Sequence, residues 1–457
     1  MAALLGAPAT AAAAPIEFVE QRDRYMLFHD VEQTVEHGNW FERDPFLAAY
    51  GDVEAGFLAA HEDDSQLLVM FTTFDLPPPI GALYQAVAND VHGIGYEHIA
   101  PEDLVIPDEG NGYFDDTPNS QVYGFLHMNR WTHYLGGDPG GVSDNYISLV
   151  FGQELGHAWL AFVSFDQGQG PSRSMLGRAN AHWSFYLDSG GSPVQGHDWV
   201  DNGDGTFTAL KQDIYEYSDL DLYLMGLLPP DEVEPWFLLE NPSNCIDSAA
   251  GDGSCATPGD FLFDADSYTV TATRRDLTIE DVIAAEGPRM PSWVDAPDSF
   301  DVSFILVTRP DDVLSEGEKV LLDAIIDRSI EIFDAQTRGY AHVVNRTAAD
   351  GAGDTGGVAD SGGSTTTGSD GGDGTGGDVD MPPGSGGLSG SGGDASEGSG
   401  GGAAAGDSDT GGCGCGSAPA AAHAAWLWLL AAARRRRRAL VTSPAPAAAT
   451  PARASAR

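Results

Sequence analysis

Three side chains within one helical turn have types that could do chemistry together: Gln153, Glu154 and His157, in the run Gln153-Glu154-Leu155-Gly156-His157. Residues four apart share a helix face. Gln153 and His157 therefore point the same way, with Glu154 beside them. An imidazole serves as a metal ligand or proton carrier, and a positioned carboxylate moves protons. A glutamine ligates only through its amide oxygen, which is neutral and harder than imidazole and suits Ca²⁺, Mg²⁺ or Mn²⁺ better than Zn²⁺. Three outcomes follow from these types: weak zinc binding with Gln153 as an oxygen ligand, another divalent cation, or no metal. A catalytic zinc also needs a third protein ligand and an open position for water.

These residues must be positioned by the stretch Ser143 to Phe165, SDNYISLVFGQELGHAWLAFVSF. Gly140-Gly141 breaks the chain ahead of it, and Ser143 or Asp144 can serve as N-cap. Ile147, Val150, Phe151, Leu155, Ala158, Trp159 and Phe162 recur at helical spacing, which predicts one helix through Phe162. Gly156 suits close packing beneath the site. Upstream, Gln66 to Phe74 reads as a buried strand, and Pro77-Pro78-Pro79 forbids helix or inner strand. Ala82 to Val91 has helical spacing and stops at Gly93 and Gly95. Tyr123 to Trp131 reads as the next strand, with His127, Asn129 and Arg130 along one side.

Downstream, Trp199 to Phe207 (WVDNGDGTF) reads as a hairpin around residues that tolerate positive φ. A calcium loop through Asp201, Asn202 and Asp204 is the alternative, but EF-hand spacing and its distant Glu are absent. Tyr217 to Leu227 is apolar at helical spacing, carries Asp219 and Asp221, and ends at Gly226 and Pro229-Pro230. Leu277 to Arg289 predicts a helix with Thr278 as N-cap. Phe300 to Val307 predicts a strand, and Ser315 to Arg338 a long amphipathic helix that closes the domain. The fold class expected for residues 15–346 is α+β, a mixed sheet with an active-site helix.

The chain has 457 residues, and its 22 Lys+Arg against 69 Asp+Glu give a net charge of −47. Such a chain repels nucleic acid and anionic lipid, which excludes a DNA- or RNA-binding role. Cys245 and Cys255 bracket the polar loop CIDSAAGDGSC. That spacing suits a disulfide in an oxidising compartment and two free thiols in a reducing one.

The run QELGH differs at one position from H-E-x-x-H, and it resembles that helix motif of zinc metallopeptidases of the zincin type. Carried over residue by residue, the resemblance implies that Glu154 is the general base acting on metal-bound water and that His157 is a zinc ligand. Gln153 stands where the first ligand histidine would be and does not carry over. Asp221 is the first choice for the third ligand, because it resembles an acidic ligand supplied by a second helix. Asp219 and His182 are the alternatives. Two residues along a helix turn about 200° around it, so Asp219 and Asp221 cannot both face a metal. Met225 reads as core, and His127 and His133 as weak candidates on the strand. The stretches GQELGHAWLAF, AHWSFYLDSGGS and YSDLDLYLMGL resemble a group of exported bacterial metallopeptidase-like proteins over most of Phe125 to Trp236. The resemblance implies a zincin-like fold.

Residues 1–14, MAALLGAPATAAAA, resemble the hydrophobic core and small-residue cleavage site of a secretory signal peptide. Residues 347–412 are Gly, Ser, Thr and Asp with few apolar side chains, the composition of a disordered acidic linker. At roughly 5–6 Å × √n such a linker spans about 40–50 Å on average. Residues 413–438 combine Cys413 and Cys415, an apolar stretch from Ala418 to Ala433 and the cluster Arg434 to Arg438. That order resembles the myxobacterial C-terminal sorting signal, MYXO-CTERM. The resemblance implies cleavage by a sorting protease, processing or lipid attachment at the cysteines, a short transmembrane anchor and display at the cell surface. Residues 439–457 are expected to be a disordered tail. The function expected is an exported, surface-anchored zinc metalloendopeptidase-like protein acting on extracellular protein or peptide. The alternative is a non-catalytic adhesin or binding module on a degenerate scaffold.

Overall fold

The run Leu67 to Phe71 is apolar at every position, and a strand of that kind is stable when both of its faces are covered. The computed structural model of the chain describes residues 15–38, 43–76, 81–87, 89–96, 120–137, 141–247, 254–261 and 266–348. Along them run β1 (Ile16–Gln21), β2 (Met26–Asp30), α1 (Arg43–Leu58), β3 (Leu67–Thr72), β4 (Leu83–Ala86), β5 (Gly124–Arg130) and α2 (Asp144–Gly156). Then follow β6 (Trp183–Asp188), β7 (Gln195–His197), β8 (Trp199–Asp201), β9 (Thr206–Leu210), α3 (Asp219–Met225), β10 (Trp236–Asp247) and β11 (Ser267–Leu277). The last elements are α4 (Ile279–Glu286), β12 (Ser299–Thr308), α5 (Glu316–Gln336) and β13 (His342–Asn345).

The first sheet has the order β1-β2-β12-β3-β5-β4. Its centre, β2, β12, β3 and β5, is parallel, and its edges β1 and β4 run antiparallel. β13 pairs with the first half of β12, on the side where β2 pairs with the second half. β3 is buried at every residue. Its Leu68 and Met70 meet Tyr50, Val53 and Phe57 of α1, while Leu67, Val69 and Phe71 face the core that holds α2 and α5. The second sheet, β7-β6-β10-β11-β9-β8, is antiparallel except for the β6–β7 pair. Its Trp183, Phe185, Phe237 and Val270 belong to the same core as Leu155 of α2. Two mixed sheets with helices make the described part α+β.

Two expected helices are corrected. Ala82 to Val91 holds no helix among its described residues and forms the edge strand β4, paired from Leu83↔His127 to Ala86↔Gly124. Its apolar residues alternate, with Leu83 and Val87 toward the α1 side and Tyr84 and Ala86 toward the α2 side. A short apolar run fits either period, and pairing with β5 decided. The helix from Ser143 stops at Gly156, not at Phe162. Past it, Ala158 and Trp159 bond back three residues, and Ala161 takes a positive φ of 66°. Trp159 and Phe162 are buried in that turn by the surrounding core, which mimics helical periodicity.

The other expected elements form within a few residues of their predicted bounds, including the β8–β9 hairpin and the Ser315-capped helix α5. Cys245 and Cys255 are joined in a disulfide. Thr347, assigned to the linker, is buried and its hydroxyl accepts from the Phe304 N–H at 3.0 Å, so it belongs to the domain. No described helix is long and apolar enough to cross a membrane. The expected signal remnant, the rest of the linker, Cys413, Cys415, the apolar stretch with its arginines and the tail lie outside the described residues.

Candidate functional site

The last turn of α2 presents Gln153, Glu154 and His157 into the core, all buried. Ser143 caps the helix by accepting from the Tyr146 N–H. At the other end His157 is the C-cap, still right-handed, with its N–H on the Gln153 carbonyl at 3.1 Å. Gly156 lets neighbours close in, since a Cβ there would lie 3.2 Å from both Leu160 and Tyr217 side chains.

Gln153 is held at both ends of its amide. Its Nε2 donates to Glu154 Oε1 at 3.0 Å, and its Oε1 accepts from Gln195 Nε2 at 2.8 Å. Gln195 is buried and sits at φ 83°, a conformation a non-glycine residue adopts only when its surroundings enforce it. Burial pushes the Glu154 carboxyl up to about 7, against the Gln153 hydrogen bond, the charge of Arg178 and the Tyr84 backbone, all of which favour the carboxylate. Burial and then Arg178 push the His157 imidazole down to about 3, and the Leu160 backbone pulls the other way. Its Nδ1 is buried without a hydrogen-bond partner.

His182 stands against His157 with ring centroids 4.7 Å apart and planes at 84°. It arrives on the loop between α2 and β6, where Gly177 donates to the His182 carbonyl and Ala179 and Asn180 both take positive φ. A Cβ at Gly177 would lie 2.4 Å from the Pro258 carbonyl oxygen, so no larger residue fits there without movement. Both ring nitrogens of His182 are held by Arg178. Nδ1 lies 3.0 Å from its carbonyl oxygen and Nε2 2.8 Å from its Nη2. Those partners assign the proton to Nδ1 and the lone pair to Nε2, which accepts from the guanidinium. Burial, then Arg178 and His157, hold the His182 imidazole well below its ordinary range, and so neutral.

The acidic candidates are used elsewhere. Asp221 is the third residue of α3 and closes a capping box with Ser218, accepting from that residue's N–H and hydroxyl, each at 2.9 Å. It also accepts from the Trp183 indole at 2.8 Å. Asp219 pairs with Arg338 at 2.6 Å and accepts from the Glu234 N–H. It lines a cavity of about 310 Å³ with Asp188, Tyr217 and Trp236. Among the described residues no group of three or more His, Cys, Asp or Glu could hold a metal ion. Asp219 and Asp221 therefore do not complete a ligand set with His157 and His182. His127 faces the α1 side beside Phe125 and accepts the Asn129 N–H, His133 pairs with Asp75 at 2.9 Å, and Met225 is core.

The donor set does not fit a catalytic zinc. Gln153 is bonded at both ends, His182 has its lone pair on a guanidinium, and only His157 keeps a free ring nitrogen. The arrangement gathers a carboxyl that titrates near neutrality, two neutral imidazoles and a cation, a set that can bind a polar ligand and exchange a proton with it. Sequence reasoning missed Arg178 and Gln195. Arg178 is one of only 22 basic residues in a strongly acidic chain, a signal that was available. The positive φ of Gln195 had none. Comparisons with protein-family models, curated proteins and solved structures find no match.

Proposed function

We propose that this chain is an exported, surface-held protein on a metallopeptidase-like scaffold whose centre binds a polar ligand without a metal and is not a metal-dependent peptidase. The observation that carries the reading is the pair of contacts between Arg178 and His182, which takes the second imidazole out of the ligand set. The scaffold half of the proposal is supported by the resemblance of GQELGHAWLAF and its companion stretches to zincin-type sequences. The helix bearing Glu154 and His157 follows a sheet with an antiparallel edge strand, which is compatible with it. Export and display are supported by the sequence character of residues 1–14 and 413–438. The Cys245–Cys255 bridge suits an oxidising compartment.

The second reading is a zinc metalloendopeptidase with Glu154 as general base. One observation favours it: a buried carboxyl raised to about 7 stands three residues before His157, whose imidazole is in ring contact with that of His182. Hydrolysis of unfolded protein substrates by the full chain, with zinc supplied, separates the two. The binding reading expects no cleavage above that of the Glu154→Gln variant. Cleavage that needs zinc and vanishes in Glu154→Gln would establish the peptidase instead.

A further inference from the structure

We propose that the cavity enclosed by the end of β6, the start of β10 and the segment after α5 is a binding site of its own. It takes a small organic cation, an ammonium or guanidinium, that carries a hydrogen-bond acceptor beside its charge.

The cavity measures about 310 Å³ and is walled by chain segments that meet only in the fold. Asp188 ends β6, Asp198 lies between β7 and β8, Glu216 precedes α3, Asp219 begins it, Glu234 precedes β10, and Arg338 follows α5. Arg338 is committed to Asp219 at 2.6 Å. Asp188, Asp198, Glu216 and Glu234 have no ion-pair partner among the described residues. Elsewhere Arg275, Arg309 and Arg328 each neutralise a carboxylate, that of Glu240, Glu36 and Asp144. Here the carboxylates border a common space, where their fields add and draw in a cation. Burial, with the Asp198 charge adding to it against the Trp199 N–H and the Arg274 charge, pushes the Asp188 carboxyl up to about 6. A carboxyl so raised lacks a neutralising neighbour.

Trp236 supplies the second feature. It lines the same cavity, is 8% exposed, and its indole N–H is buried without a hydrogen-bond partner. A buried donor left unmet is costly, and an acceptor on a ligand satisfies it. The indole is also the aromatic ring that attracts cations most strongly. A bare metal ion is the poorer fit. Among the described residues no three His, Cys, Asp or Glu are grouped so as to hold one. The occupant must therefore be large enough to reach several carboxylates and the indole together. The wall is preformed at Tyr217, which is buried and whose hydroxyl donates to the Gly152 carbonyl of α2 at 2.6 Å.

Two sources share this chemistry: a basic residue in a peptide, and an amino sugar. The test is isothermal titration calorimetry of the full chain at roughly 0.15 M salt, where attraction between distant exposed charges is screened. The probes are Nα-acetylarginine amide, its neutral isostere Nα-acetylcitrulline amide, and glucosamine. At least one of the two cations is expected to bind once per chain, and the citrulline compound is expected not to bind. Glu216→Gln/Glu234→Gln is expected to weaken that binding roughly fivefold. Trp236→Phe keeps a ring but removes the N–H, and is expected to weaken it by a similar factor. Asp231→Asn/Glu232→Gln removes the same charge from exposed positions outside the cavity and is expected to leave binding unchanged. Binding of the arginine amide alone assigns a peptide source, binding of glucosamine alone a sugar, and binding of both the shared chemistry. No stoichiometric binding of either cation overturns the proposal. Equal weakening by the two double variants overturns it too, since that marks attraction to an acidic surface. Should Trp236→Phe not fold, the two double variants, all at exposed positions, still decide.

Discussion

Glu154 offers the most quantitative consequence of the site. The carboxyl is buried and its affinity for a proton is raised from 4.5 to about 7. A raised folded-state value means that the folded protein binds the proton more tightly than the unfolded chain does. The associated stability is therefore fully present below about pH 4.5 and is lost as pH rises through about 7. At 1.36 kcal/mol per unit the whole effect is about 3 kcal/mol, of which about 2 kcal/mol falls between roughly pH 5.5 and 8.5. Glu154→Gln removes the titration while keeping an oxygen for the Gln153 amide. Urea unfolding of the full chain should then show wild-type stability falling by about 2 kcal/mol relative to the variant across that window. The self-repulsion of a chain carrying −47 charges and the depressed histidines are common to both proteins and cancel in the difference. Parallel pH profiles would refute the buried, proton-holding Glu154, and so would a wild type that gains on the variant as pH rises.

Other consequences are checked by the same unfolding measurement. Gly177→Ala places a Cβ 2.4 Å from the Pro258 carbonyl oxygen and should cost about 1–3 kcal/mol while loosening the loop that carries Arg178. Trp183→Phe leaves the buried Asp221 carboxylate without its indole donor and should cost about 1–3 kcal/mol. Replacing Cys245 and Cys255 by serine opens a short loop and should lower stability by about 2–3 kcal/mol under oxidising conditions, with no difference once the wild type is reduced.

The sheet strands around Leu67 and Phe304 and the capped helices at Ser218 and Ser315 were legible because local chemistry and burial agree there. Leu67 to Phe71 is continuous apolar sequence and Ser315 to Arg338 is amphipathic at helical spacing, while the Ser315–Glu318 capping box that starts that helix went unread. The failures share one cause. Ala82 to Val91 and Ala158 to Phe162 are apolar runs whose conformation is set by what they pack against, and periodicity carries no record of that. Strand pairing with β5 and the turn at Ala161 are tertiary facts. The long β10–β11 ladder and α1 were likewise unread. At the site, the sequence brought out Gln153, Glu154 and His157, and it included His182 among the alternatives. It preferred Asp221, whose position in a polar cap looks the same in sequence as a ligand on a helix. The partners that define the centre, Arg178 and Gln195, come from separate loops and are joined to it only by the fold.

The central claim is that a guanidinium, not a metal, stands at the imidazole pair. It is tested most directly by the zinc content of the full chain purified without chelator and exposed to zinc, measured by elemental mass spectrometry after exchange into a weakly chelating buffer. The account predicts no stoichiometric zinc in the wild type and none lost on His157→Ala. One zinc ion per chain, absent from His157→Ala and from His182→Ala, would contradict it.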